Sequence, residues 1–334
     1  MRNRTDADAD ADHRRLGLTN LRVSSVALGC WPIAGVSTLD VNDADSIATI
    51  HASIDAGATF IDTAYVYGPK GESENLIRRA IEQRPGMREQ VVIATKGGIH
   101  YDADGKQTQD ARPATLAREC DESLRRLGVD HVELYYLHAP DKQTPLAESA
   151  AAIRQLVDAG KALSAGASNC SLEQLQEFHA ICPLAAVQLP YNMLQRDIEH
   201  KTIPWCIENG VSVTAYWPLM KGLLAGGINH NTLAERDSRR NYPMYQGDEF
   251  DKNQAFVAEL RRIAEEAGCT VAQVVVNWTI HQPGVTSALC GAKRPWQIEE
   301  TAAAMGWRLT ADQNAAIECA IAARGPAAAK RLFQ

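Results

Sequence analysis

Four ionisable side chains stand at or just beyond the ends of short apolar runs: Asp62 and Tyr67 in FIDTAYVYGP (60–69), Lys96 closing VVIATK (91–96) and His138 closing VELYYLH (132–138). A phenol with its ordinary pKa of about 10 is a poor acid at neutral pH, but an ammonium beside it stabilises phenolate and lowers that value. An aspartate next to the lysine keeps the ammonium charged and aimed, and a histidine near the phenol orients a carbonyl oxygen by hydrogen bonding. Such a set has the parts to protonate a developing alkoxide. Each residue also has an ordinary structural role: the aspartate caps a turn, the tyrosine covers the core, the lysine is a solvated rim charge and the histidine is semi-buried and satisfied. What decides between the two is whether the fold gathers them. Hydrolysis has little support, because the chain has no Ser-His-Asp order, no GxSxG elbow and no metal-ligand cluster.

The elements that must position these residues alternate along the chain. Short β-branched or apolar runs at 26–29, 58–62, 91–96, 132–138, 162–168, 185–190, 211–217 and 285–291 read as eight strands. Amphipathic stretches at 43–56, 72–83, 113–127, 145–159, 171–180, 197–209, 251–267, 271–282 and 295–304 read as helices, several ending in glycine (DAG at 55–57 and 158–160, EAG at 266–268). Eight βα units predict an α/β fold, a single (β/α)₈ barrel domain over 15–334 with long loops at the C-terminal face, 97–112 and 218–250 being the longest. A doubly wound dinucleotide fold needs GxGxxG after its first strand, and the chain contains none. In a barrel the C-terminal strand ends converge, so Asp62, Tyr67, Lys96 and His138 are expected to share one site.

Composition bounds the rest. The 334 residues carry a formal net charge of −7 with no basic stripe, which disfavours nucleic acid as a partner. Eight scattered cysteines without CxxC spacing suggest a reducing compartment. The charged start MRNRTDADADADHRR has no signal-peptide core, and no run approaches the roughly 20 apolar residues of a membrane span. The expectation is a cytoplasmic protein without a membrane partner, monomer or homo-oligomer, with residues 1–14 a disordered tail.

The ordered series RLGLTNLRVSSVALG, FIDTAYVYG, ATKGG, LYYLHAPD, GASN, VQLPYNMLQRD, AYWPLMKGLLAG and GAKRPWQIEE resembles the aldo-keto reductases over about 15–324. The resemblance implies a catalytic tetrad of Asp62, Tyr67, Lys96 and His138, Tyr67 donating a proton while NADPH delivers hydride to a small-molecule aldehyde or ketone, reversibly. It implies Ser168, Asn169 and Gln188 on the nicotinamide carboxamide, Tyr216 stacked on the ring, and Trp217, Leu219 and Lys221 in a segment crossing the pyrophosphate. It further implies Gly291 among the cofactor contacts and Lys293 and Arg294 at the 2′-phosphate, with Gln297 and Glu300 reaching the adenosine. Trp31 and Tyr101 are expected to wall the substrate pocket. Two positions depart from the family pattern: Trp217 replaces a usual serine, and Thr301 a usual asparagine. The family also includes proteins similar to potassium-channel β subunits, so a slow cofactor-binding regulator is the alternative to an enzyme. RRNYPMYQGDEF (239–250) is open between a lid and an oligomer contact.

Overall fold

The structure is a computed structural model that describes residues 12–328, apart from 37, 230, 231, 234 and 236. The described residues open with a hairpin, β1 (His13–Arg15) and β2 (Arg22–Ser24). Eight parallel strands then close a barrel: β3 (Val26–Gly29), β4 (Phe60–Asp62), β5 (Val92–Gly97), β8 (Leu134–Leu137), β9 (Ala165–Ser168), β10 (Leu184–Pro190), β11 (Ser212–Tyr216) and β12 (Val285–Gly291), with β12 returning to pair β3. A second hairpin, β6 (Ile99–Tyr101) and β7 (Gln107–Gln109), stands on the loop after β5. The expected (β/α)₈ barrel is therefore the fold.

Helices α1 (Asp43–Asp55), α2 (Glu72–Gln83), α3 (Pro113–Leu127), α4 (Leu146–Asp158), α5 (Leu172–Ile181), α6 (Thr202–Glu208), α7 (Gly247–Ala267), α8 (Val271–Ile280), α9 (Pro295–Ala302) and α10 (Ala311–Arg324) surround it. Their starts follow local chemistry. Asn42 caps α1 by accepting from Asp45 N, and Ser171 with Gln174, Thr270 with Gln273 and Thr310 with Gln313 form capping boxes that satisfy otherwise orphaned N–H groups. The expected helix at 197–209 is broken: a 3₁₀ turn at Asp197–Glu199 precedes α6.

Apolar burial falls into two layers. Leu16, Val23, Ala27, Phe60, Ala94, Leu134, Tyr136, Ala185, Ala186 and Leu289 fill the barrel, while a larger cluster joins strands to helices. Gly166 belongs to this packing, since a Cβ there would lie 2.3 Å from the Tyr136 ring. Leu16, fully buried in the first hairpin, plugs the N-terminal end of the barrel, a contact worth about 1.5–3 kcal/mol. Arg14 fastens the same hairpin by donating from Nη1 to the carbonyls of Ile280 at 2.6 Å and Val285 at 2.9 Å. Residues 12–14 thus belong to ordered structure rather than to the expected tail, because Arg14 supplies backbone acceptors with a donor and Leu16 supplies apolar burial; residues 1–11 lie outside the described residues.

Candidate active site

Each tetrad residue is set by a strand end. Asp62 is the last residue of β4 and Lys96 the penultimate residue of β5; both side chains are buried. His138 follows β8 instead of ending it, its backbone N–H donating to Gly97 O at 2.9 Å. Tyr67 lies in the turn after β4, held by its N–H to Ala64 O, and its ring meets Trp31 edge-on at 5.1 Å and His138 at 5.9 Å. Tyr67 and Tyr101 pack on one small apolar cluster of Ala64, Val66, Ile99 and Ala139. Of the two expected pocket residues, Trp31 therefore stands against Tyr67, and Tyr101 packs on the same apolar cluster.

Lys96 Nζ reaches Asp62 Oδ1 at 2.6 Å, Thr63 O at 2.7 Å and Tyr67 Oη at 3.4 Å. An ammonium has three N–H donors, so every one has an acceptor and the third is aimed at the phenol. Asp62 Oδ2 accepts from Gln188 Nε2 at 2.8 Å, which fixes the carboxylate from its other side. Burial pushes Asp62 up and Lys96 down, while their mutual attraction and these hydrogen bonds act in the opposite direction.

The electrostatics differ from the sequence expectation in sign. The phenol of Tyr67 was expected to be lowered by Lys96, yet it is raised well above its ordinary value, chiefly by burial and then by the Asp62 carboxylate. With Asp62 at 2.6 Å, Lys96 presents Tyr67 with a neutral ion pair and one directed N–H, not an isolated positive charge. Tyr67 is thus a protonated phenol at neutral pH, suited to giving a proton away. His138 is held well below its usual range by burial and by Lys96, so its imidazole is neutral.

A second set of residues is continuous with the first. Ser168 Oγ donates to Gln188 O at 2.9 Å, and Asn169, in the left-handed region at φ 57°, donates through Nδ2 to His138 O at 2.9 Å. Tyr216 Oη donates to Asn169 Oδ1 at 2.8 Å. Gln188, expected on a ligand amide, already gives its own amide nitrogen to Asp62. Beyond Tyr216 the backbone turns left-handed at Trp217, Met220 and Lys221, a run that non-glycine residues rarely adopt. Leu219 O accepts from the N–H groups of Gly222 and Leu224, and Asn192 Nδ2 donates to Trp217 O at 3.1 Å, so the segment is pinned from both sides.

The third expected group lies apart from the tetrad. Gly291 ends β12 against Gly29, and a Cβ there would lie 3.0 Å from Pro32. Lys293 Nζ donates to Leu39 O at 2.5 Å; Arg294 donates to Asp40 O at 2.7 Å and pairs with Asp45 at 3.1 Å. Gln297 Oε1 accepts the backbone N–H groups of Lys293 and Arg294, and Glu300 is half-buried on the same helix, α9. Sequence reasoning missed Asn192, Thr63 as the second acceptor of Lys96, and the packing of the Tyr242 ring on Lys221. No side-chain type marks the first two, since one pins a distant carbonyl and the other acts through its backbone. Among the described residues no group of three His, Cys, Asp or Glu side chains could hold a metal, and no helix is long and apolar enough to cross a membrane.

Comparison with known proteins gives the family. The model of the Aldo/keto reductase family matches residues 25–322. The chain is 36% identical over 298 residues to the aldo-keto reductase YhdN of Bacillus subtilis strain 168, covering 89% of each. It is similar to the solved structure of the glycerol dehydrogenase AKR11B4 from Gluconobacter oxydans, with a TM-score of 0.87 and 36% identity, covering 97% of this chain and 99% of that one.

Proposed function

From the chain's membership of the aldo/keto reductase family we propose that it reduces aldehyde or ketone groups of small molecules with NADPH, Tyr67 donating the proton. One observation carries this reading: the phenol of Tyr67 sits 3.4 Å from the Lys96 ammonium, with its ring against the neutral His138. When bound, the nicotinamide cofactor supplies hydride to the carbonyl carbon. His138 hydrogen-bonds the carbonyl oxygen, and Tyr67 gives that oxygen a proton as negative charge develops. Lys96 then stabilises the phenolate, Asp62 keeps Lys96 in place, and water returns the proton. In the reverse direction the phenolate accepts the proton of an alcohol.

The residues present fit such a cofactor. Asn169, Tyr216 and Gln188 form one hydrogen-bonded row beside the tetrad, and the half-buried Lys221 ammonium makes no ion pair among the described residues. Lys293 and Arg294 stand at the start of α9, Lys293 donating to a backbone carbonyl and Arg294 to a backbone carbonyl and to Asp45, contacts from which a phosphate can recruit them. No disulfide links the described cysteines, which fits a reducing cytoplasmic setting.

Two experiments test the reading. Protein, NADPH and a panel of aldehydes and ketones, with glyceraldehyde included because the solved relative is a glycerol dehydrogenase, should consume reduced cofactor; no consumption with any member would reject carbonyl reduction. Replacing Lys293 and Arg294 together by alanine should weaken NADPH binding at least about tenfold and leave NADH nearly untouched, since a charge-assisted contact is worth about 1.5–3 kcal/mol. Equal losses for both cofactors would show that this pair does not read the 2′-phosphate.

A further inference from the structure

Lys221 is held in an unusual way. Its Nζ lies 4.7 Å from the centroid of the Trp217 ring and 4.5 Å from that of Tyr242, and the two rings meet edge to face at 6.1 Å. Asp237, the nearby carboxylate, is taken up by Arg239, whose Nη2 approaches it at 2.7 Å. Burial first, then Arg239, pushes the Lys221 ammonium down to about 8. A cation desolvated between two aromatic faces, with no salt-bridge partner among the described residues, is prepared for an anionic ligand.

The segment 237–245 imposes this arrangement. Tyr245 Oη donates to Lys221 O at 3.0 Å, and Arg239 Nη1 reaches the same oxygen at 3.4 Å. Tyr242 lies between two 3₁₀ turns, Ser238–Asn241 and Pro243–Tyr245, which turn its ring onto Lys221. Trp217 and Lys221 themselves sit at φ 60° and 57°, so the loop is strained and needs these external contacts to keep its shape. The tyrosines of this segment are spent inside the chain, which favours the lid over the oligomer contact that the sequence left open.

We propose that Tyr242 is a positioning residue for the cofactor: with Trp217 it clamps Lys221 where the ammonium meets the pyrophosphate of NADP(H), so that 237–245 straps the 217–222 loop over the bound nucleotide. The inference rests on the functional reading above and adds to it the partner that fixes Lys221.

A double-mutant cycle on the full-length protein tests it, with NADPH affinity read from quenching of protein fluorescence and confirmed by the KM for NADPH. Tyr242→Ala should raise the Kd for NADPH about tenfold, the scale of a desolvated cation–π contact, with the loss falling on KM rather than kcat. Tyr242→Phe, which keeps the ring, should restore the affinity. Lys221→Met should weaken binding at least as much, and adding Tyr242→Ala to it should cost nothing further, because the tyrosine acts through the lysine. Tyr242→Ala with wild-type affinity, full additivity of the two changes, or Tyr242→Phe as weak as Tyr242→Ala would each overturn the proposal while leaving carbonyl reduction intact. A wild-type protein that binds no NADPH would overturn the functional reading and this inference together.

Discussion

Tyr67→Phe should lower turnover by about 10²- to 10⁴-fold, the usual contribution of a positioned general acid, while NADPH affinity stays within about twofold of wild type. The substitution removes one oxygen and keeps the ring, so the edge contacts with Trp31 and His138 survive. What disappears is the acceptor for the third N–H of Lys96 and the phenol proton beside His138. Because burial and Asp62 hold the phenol well above its ordinary pKa, the acid form is available throughout neutral pH, and the loss should be the same from pH 6 to pH 8. Near wild-type turnover in Tyr67→Phe would remove Tyr67 from the mechanism.

Lys96→Met is expected to act on both chemistry and stability. Without the ammonium the developing phenolate has no charged partner, so reduction should fall by about 10²-fold or more, comparable with loss of one preorganised donor. Oxidation of an alcohol needs Tyr67 as a base, and its pH optimum should move upward in the variant because the remaining neighbours all raise the phenol. Breaking a buried pair by removing one member costs about 3–5 kcal/mol when the other charge remains. Here the remaining charge is Asp62, buried and already raised by burial. A carboxyl whose folded pKa exceeds its unfolded value of about 3.9 is protonated in both states at lower pH, so the added cost is absent below about pH 4 and grows as pH rises through the folded pKa. Denaturant melts of wild type and variant at acidic and neutral pH check the sign: the gap between them should widen toward neutral pH. An unchanged pH profile of oxidation, with measurable residual activity, would mean that Lys96 does not tune Tyr67.

The sequence carried the barrel and the tetrad because both depend on periodicity and order. Strands β3 and β12 match their expected spans, and helices α2 and α3 match 72–83 and 113–127, where apolar spacing is regular and glycine or proline punctuates the ends. Once eight strands are in place, residues at neighbouring strand ends must converge, so Asp62, Lys96 and His138 needed no further information. Helix α10 escaped because only Ile317 on it is buried, leaving little apolar rhythm, although Thr310 and Gln313 spell a capping box. The hairpin β6–β7 escaped because its strands are three residues each and polar on β7. The sign of the Tyr67 shift was illegible for a different reason: it depends on the 2.6 Å closeness of Lys96 to Asp62 and on burial, which residue order does not contain. Likewise RRNYPMYQGDEF announces tyrosines but not that Tyr242 faces Lys221.

At this site hydride should pass to a carbonyl carbon while Tyr67 supplies the proton. Turnover of an aldehyde with NADPH deuterated at the reactive C4 position, followed by mass spectrometry and NMR of the product, tests it most directly. The wild-type protein should place one deuterium on the carbinol carbon of the alcohol, and Tyr67→Phe the same label at a rate lower by about 10²- to 10⁴-fold. Alcohol formed without deuterium at that carbon, or no alcohol formed from any carbonyl compound while NADPH binds, would contradict it.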